Sequence, residues 1–327
     1  MDFKHFYSDF IIEFKQIYGS CVRKASPVSL YDPINYVLEH PGKQIRPAIL
    51  VATALNFKDI PAKDLYPAAC CVEMIHNFTL VHDDIMDNDL LRHGMETVHA
   101  KWSVNDAILS GDGLFAIALQ QLDHYSDNPK LYSKLVPKVL HAVTLICEGQ
   151  AQDMDFENRD DVTLDEYLEM VEKKTAHLLS VSAGMGAALA GLDAEAEQLC
   201  EKIIMELGIV FQIQDDLLEL TSDPDVMGKS LGSDLVNRKK TFPYLFSKQV
   251  LSNDIWKEFE KKTSKLYISL NGTKPARKVL EDNFIFDRIG EVITLRHERI
   301  QNMISKLPEG KRNMFFSMVE FVMNRKH

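Results

Sequence analysis

The chain has 327 residues, 46% of them hydrophobic and 26% charged, with a formal net charge of −11. This length and balance describe a globular protein able to bury a large core. The acidic excess argues against general nucleic-acid binding, so an anionic substrate would have to be met by local basic clusters or divalent cations.

The opening stretch MDFKHFYSDFIIEFKQIYG carries acids early and no long apolar core, unlike a secretory signal. No apolar run reaches membrane-spanning length. The five cysteines, Cys21, Cys70, Cys71, Cys147 and Cys200, form no CxxC pair, so reduced thiols and a cytoplasmic location are expected. The segment PGKQIRP then sets Lys43 and Arg46 three residues apart at a predicted helix start. Apolar residues recur at three- and four-residue spacing over Leu65–Asp87, Val104–Leu122, Leu131–Phe156, Leu164–Ala190 and Ala194–Leu220. The breaks between them (YSDNPK, NRDDVT, AGLDAEA, TSDPDVMGKSLGSD) are short and polar, and strand-like alternation is nearly absent. The pattern predicts an all-α fold, with residues 1–327 forming a single domain of layered helices.

Two of these helices are apolar on nearly every face, yet each ends in an acidic triplet: Asp83, Asp84 and Asp87 in the first, Asp215, Asp216 and Glu219 in the second. On a helix the first and third acids of each triplet share a face, and the middle one is turned about 100° away. Stacked carboxylates on an apolar helix repel one another and resist desolvation. Hard divalent cations relieve both problems, and Mg²⁺ commonly joins one or two carboxylates to substrate phosphates. Two such triplets facing each other across a cavity would hold a metal cluster that grips a diphosphate. Zinc is disfavoured, since no HExxH or Cys/His spacing occurs, and His82 reads as a packing residue. The loop Asp223–Asp234 resembles an EF-hand loop but has Met227 at position 5, Asp at position 12 and Pro224 at position 2.

A metal-held diphosphate needs cationic donors, and these lie beside the triplets. Lys43 and Arg46 offer a mobile charge and a planar fork, with Gly42 easing the backbone next to them. Arg92 and His93 follow the first triplet, Lys174 and Thr175 sit inside a helix, and Lys229 and Lys239 follow the second triplet.

On these residues the chain resembles the trans-isoprenyl diphosphate synthases, the polyprenyl synthetase family, and most closely its short-chain farnesyl and geranylgeranyl members. The family's first motif, DDxxD, is matched by Asp83, Asp84 and Asp87. The second, within FQxxDD, is matched by Phe211, Gln212, Asp215, Asp216 and Glu219. GKxxRP is matched by Gly42, Lys43, Arg46 and Pro47, the Lys-Thr pair by Lys174 and Thr175, and GQxxD by Gly149, Gln150 and Asp153. Three positions depart from the family pattern: Pro41 stands for a glycine, His93 for an arginine and Glu219 for an aspartate.

The resemblance implies an all-α isoprenoid synthase fold with a central active-site cavity, and a head-to-tail condensation of isopentenyl diphosphate with an allylic diphosphate. It implies three Mg²⁺ ions, with Mn²⁺ able to substitute, held by Asp83, Asp87 and Asp215. Arg92, Lys174 and Lys229 would bind the departing diphosphate. Lys43, Arg46 and His76, helped by His93, would hold isopentenyl diphosphate, and Lys239 is a further expected substrate-binding residue. Thr175 and Gln212 would turn oxygen dipoles toward the allylic cation. Asp84 is grouped with the catalytic acids, and Gln150, Asp153, Asp216 and Glu219 are expected to support the ligands from behind. Phe78 and Thr79, just before the first motif, are the expected chain-length residues, with core packing as the other reading of Phe78. Geranylgeranyl diphosphate is the favoured product and farnesyl diphosphate the next. A class I terpene cyclase would need neither GKxxRP nor a second acid motif, and a non-catalytic regulatory subunit would be expected to have lost one triplet. The all-round apolar helices and the resemblance both imply a homodimer. The basic end NRKH either folds over the diphosphate site or frays.

Overall fold

An aromatic ridge organises the first helix. In the computed structural model, which describes residues 2–22, 26–92, 94–221 and 239–324, α1 (Phe3–Ser20) buries Phe3, Phe6, Phe10, Phe14 and Tyr18. Their three- and four-residue spacing puts them on one face, and successive rings stack at 4.9 to 5.8 Å from Phe6 to Tyr18. Asp2 caps this helix by accepting from the His5 amide.

The helices follow in chain order, with α2 and α5 not singled out from sequence: α2 (Val28–Glu39), α3 (Ile45–Phe57), α4 (Tyr66–Met86), α5 (Val98–Lys101), α6 (Val104–Gln121), α7 (Pro129–Glu157), α8 (Leu164–Val171), α9 (His177–Leu189) and α10 (Ala194–Thr221). Six more complete the described chain: α11 (Phe242–Val250), α12 (Asn253–Lys262), α13 (Lys265–Asn271), α14 (Lys274–Asp282), α15 (Ile285–Ile304) and α16 (Glu309–Met323). The one sheet among the described residues is a two-residue hairpin, β1 (Leu91–Arg92) against β2 (Met95–Glu96), just past the first acidic triplet. The all-α expectation is therefore met. The predicted continuous helix over Leu164–Ala190 resolves into α8, a π turn at Glu172–Ala176 and α9. A capping box starts α8: Thr163 accepts from the Glu166 amide, and the Glu166 carboxylate accepts from the Thr163 amide. No helix among the described residues is long and apolar enough to cross a membrane.

The chain gathers into two compact units. One comprises residues 1–144, 178–204 and 307–321. In it α4 packs along α6, and α9 is buried from Leu178 to Ala188. A Cβ added at Gly186 of α9 would lie 2.3 Å from the Leu50 carbonyl oxygen of α3, so glycine is what lets these two backbones meet. The other unit comprises residues 145–177, 205–306 and 322–327. Its core joins α8, the second part of α10 and α11 around Tyr167, Ile213, Phe242 and Phe259.

Candidate active site

The first triplet closes α4. Asp83 and Asp84 occupy its last turn, and Asp87 caps it with right-handed backbone, so the i, i+4 relation of Asp83 and Asp87 persists. Asp83 is half-buried and Asp87 exposed, whereas Asp84 is buried. This is the separation that the 100° turn predicts. Arg92 of β1 donates Nε and Nη2 to one Asp84 oxygen, each at 2.6 Å. Burial pushes the Asp84 carboxyl up, and Arg92 works against that shift. Arg92, read from sequence as a diphosphate donor, is thus engaged with Asp84 in this structure. His93 and Lys229, with the loop Asp223–Asp234 and the basic end from Arg325, lie outside the described residues.

One turn before the triplet, the Phe78 ring stands edge-on to His82 at 5.0 Å and tilts against Phe115 of α6 at 5.5 Å. The Thr79 hydroxyl donates to the His76 carbonyl at 2.7 Å. His82 is a helix-packing residue, as expected: its ring lies against Gly111 of α6, where a Cβ would fall 2.2 Å from Nε2.

Lys43 precedes α3 and Arg46 sits in its first turn. The left-handed residue of this turn is Gln44, with φ 51°. The Tyr7 hydroxyl donates to the Lys43 carbonyl at 2.5 Å. Glu73 of α4, absent from the sequence reading, belongs to this neighbourhood. It is 1% exposed, and burial pushes its carboxyl up to about 7 against the pull of Arg46. Burial in turn lowers the Arg46 value, and Glu73 opposes that. The buried Nε of Arg46, Oε2 of Glu73 and both amide atoms of Gln44 have no hydrogen-bond partner among the described residues.

The Glu73 shift carries a sign. Its folded value of about 7 lies above its ordinary 4.5. Between the two, the folded state holds a proton that the unfolded state has released, so this contribution is lost as pH rises through 7. Glu73→Gln has no such slope. Its stability relative to wild type is expected to improve by up to about 3 kcal/mol between about pH 5 and pH 8, read by denaturant melts. A difference that stays constant with pH would show that Glu73 does not titrate there.

The second triplet sits in the other unit, on α10, beside a cavity of about 170 Å³. Asp215, Gln212, Lys174, Thr175, Glu219 and Lys239 all line it. Lys174 and Thr175 come from the π turn, a distortion often found at functional sites. Gly149 of α7 makes room for that turn: a Cβ there would lie 2.6 Å from the Lys174 amide nitrogen. Asp153, one turn further along α7, accepts from Lys174 Nζ at 2.7 Å. Next to Gly149, both amide atoms of Gln150 are buried without a hydrogen-bond partner among the described residues.

Asp216 has a different task from Asp215. It is 8% exposed and accepts from the Tyr167 hydroxyl at 2.5 Å, the Phe242 amide at 2.8 Å and the Gln212 amide nitrogen at 2.9 Å. The Thr175 hydroxyl donates to Gln212 Oε1 at 3.2 Å. Burial and the Asp216 charge push the Tyr167 phenol well above its ordinary value, so it remains a donor. Tyr167 and Lys240, which also line the cavity, were not singled out from sequence. Tyr167 lies seven residues before Lys174, about two helical turns, which is a signal available in the string. Among the described residues, no three His, Cys, Asp or Glu side chains converge closely enough to hold a metal by themselves.

The polyprenyl synthetase family matches this chain over residues 27–268, a span that contains both triplets and the basic residues from Lys43 to Lys240. A geranylgeranyl diphosphate synthase of Methanosarcina mazei is 43% identical over 215 residues, 66% of either chain. A short chain isoprenyl diphosphate synthase of Methanothermobacter thermautotrophicus is 33% identical over 309 residues, 92% of either chain. A solved geranylgeranyl pyrophosphate synthetase structure from Pyrococcus horikoshii is 30% identical, with a TM-score of 0.89 over 99% of both chains.

Proposed function

Because the chain belongs to the polyprenyl synthetase family and is a prenyltransferase of the isoprenyl diphosphate synthase type, we propose that it joins isopentenyl diphosphate to an allylic diphosphate, chiefly to make geranylgeranyl diphosphate, with farnesyl diphosphate next. The observation that carries the reading is the cavity lined together by Thr175, Gln212, Lys174, Asp215 and Lys239. It combines cationic donors for a diphosphate with acceptor oxygens suited to an electron-poor carbon. The names of the archaeal relatives support the product assignment.

Synthases of this family use a divalent metal. We assign Mg²⁺ here, three ions in all with Mn²⁺ as a substitute, to Asp83, Asp87 and Asp215, which would hold it where it would neutralise charge on the departing diphosphate. Lys174, Arg92 and Lys229 bind that diphosphate. Asp153 presets Lys174, and Asp84 presets Arg92, so each cation is held in place before substrate arrives. Gly42, Lys43, Arg46 and His76, with His93, hold isopentenyl diphosphate, and Lys239 binds substrate in the cavity it lines with Lys174. Thr175 and Gln212 stabilise the allylic cation as the C–O bond breaks. The final proton leaves to the released diphosphate, so no protein base is assigned.

We take residues 1–327 as one catalytic domain, acting in the cytoplasm as a homodimer. Val104, Ile108 and Leu109 support the dimer, because they leave an apolar face of α6 exposed. Purified protein with Mg²⁺, labelled isopentenyl diphosphate and each allylic primer in turn is expected to yield labelled geranylgeranyl diphosphate. No elongation with any primer overturns the reading. In the same assay Phe78→Ala is expected to lengthen the product by one or more isoprene units, because the ring packed on Phe115 no longer closes the path. An unchanged product distribution would assign Phe78 to core packing.

A further inference from the structure

Asp216 is a carboxylate and can only accept hydrogen bonds. Tyr167 and the Phe242 amide both donate to its Oδ2, and Gln212 meets its Oδ1. The side chain of Gln212 must therefore turn its nitrogen toward Asp216, which leaves Oε1 directed at Thr175. That oxygen accepts the single proton of the Thr175 hydroxyl. Every proton in the chain of contacts thus runs toward Asp216. Thr175 and Gln212 both line the cavity, and with their shared proton committed in this direction Thr175 Oγ1 and Gln212 Oε1 keep lone pairs to offer. A freely rotating hydroxyl or a flipped amide would instead offer a proton, which repels positive charge.

We propose that Asp216, held by Tyr167, is a positioning residue that sets the direction of this relay, so that Thr175 Oγ1 and Gln212 Oε1 act toward an allylic cation as acceptor oxygens, the Thr175 hydroxyl proton being turned away from it. The inference rests on the prenyltransferase reading above and adds what orients its cation-facing groups. It also separates the two adjacent acids: Asp215 is given to the metal, and Asp216 to the polarity of the site.

The relay can be reversed by isosteric changes. In Asp216→Asn, the side-chain oxygen keeps the Tyr167 and Phe242 donors, and the new amide nitrogen faces Gln212. Gln212 must then flip, its nitrogen meets Thr175, and the hydroxyl proton turns to the cavity. The expected result is a fall in kcat of about 10²-fold, the size typical of one lost electrostatic stabiliser, with both KM values little changed. Adding Gln212→Glu restores an acceptor-only group between the introduced amide and Thr175. The double variant, Asp216→Asn with Gln212→Glu, is therefore expected to recover at least about tenfold of the loss. A metal-ligand role for Asp216 predicts no rescue and a raised Mg²⁺ requirement. Either result, or a kcat unchanged in Asp216→Asn, overturns the proposal.

A second measurement does not depend on turnover. In glutamine-labelled protein, the Gln212 side-chain amide protons, assigned by their loss in Gln212→Glu, are expected to exchange slowly in wild type and to change partner in Asp216→Asn. Fast exchange in the wild-type protein overturns the relay, and the same spectra report whether each variant is folded. Wild-type protein that elongates no primer yet shows the slow amide would sink the assigned reaction and leave the hydrogen-bond direction standing.

Discussion

Asp215→Asn is expected to lower kcat/KM by about 10³-fold, equal to about 4 kcal/mol of transition-state stabilisation. The substitution keeps the shape of the side chain and removes its charge. A metal that bridges protein and diphosphate would lose a ligand and much of its grip, so the Mg²⁺ concentration for half-maximal activity should rise together with the loss. Asp83→Asn is expected to behave alike, since Asp83 shares the helix face of Asp87 at the end of α4. Asp216→Asn should instead leave the Mg²⁺ requirement unchanged, because its oxygens are taken up by Tyr167, Phe242 and Gln212. Steady-state rates over a Mg²⁺ series for the three variants check this. An Asp215→Asn enzyme within about tenfold of wild type would remove Asp215 from the ligand set.

Gly149→Ala is expected to reduce kcat about 10²-fold and to lower stability by about 1–3 kcal/mol. The added Cβ would sit 2.6 Å from the Lys174 amide nitrogen, 2.9 Å from the Lys174 Cβ and 3.0 Å from the Lys173 Cβ. None of these is the far end of a flexible side chain, so either α7 or the π turn must shift. The π turn carries Lys174 and Thr175, and a displacement there moves together the two residues proposed to bind the diphosphate and to face the cation. Gly290 serves as the control: nothing lies within 4 Å of an added Cβ on α15, so alanine should be neutral or stabilise by about 0.5–1 kcal/mol through helix propensity. Thermal melts and single-turnover rates read the two effects separately. Full activity in Gly149→Ala would show that the close approach does not position Lys174.

The helices were legible in the string because their signal is local. Val104–Leu122 was predicted and Val104–Gln121 is found; Ala194–Leu220 was predicted and Ala194–Thr221 is found. The different environment of Asp84 was legible for the same reason, since helical geometry alone turns it away from Asp83 and Asp87. Tyr167 was not legible as the partner of Asp216, because 49 residues separate them and only tertiary packing brings them together. The π turn escaped because EKKTA has nothing in its composition to distinguish it from an α-helical turn. Glu73 is a different kind of miss: a lone acid inside an apolar run is the same signal that marked the triplets, and it was available.

The aromatic ridge of α1 bears on how the protein is made. The Phe3 amide donates to Ser317 Oγ at 2.8 Å, and the Phe3 ring meets Phe321 edge-on at 5.3 Å. A helix at residues 3–20 therefore packs against one that begins at residue 309. The unit that contains both is assembled from three stretches of chain, and the third begins at residue 307. Synthesis at about 5–20 residues per second leaves the apolar face of α1 waiting for many seconds before α16 arrives. During that interval the nascent chain shows a hydrophobic stripe to the cell, and its need for chaperones should persist until α16 has been made.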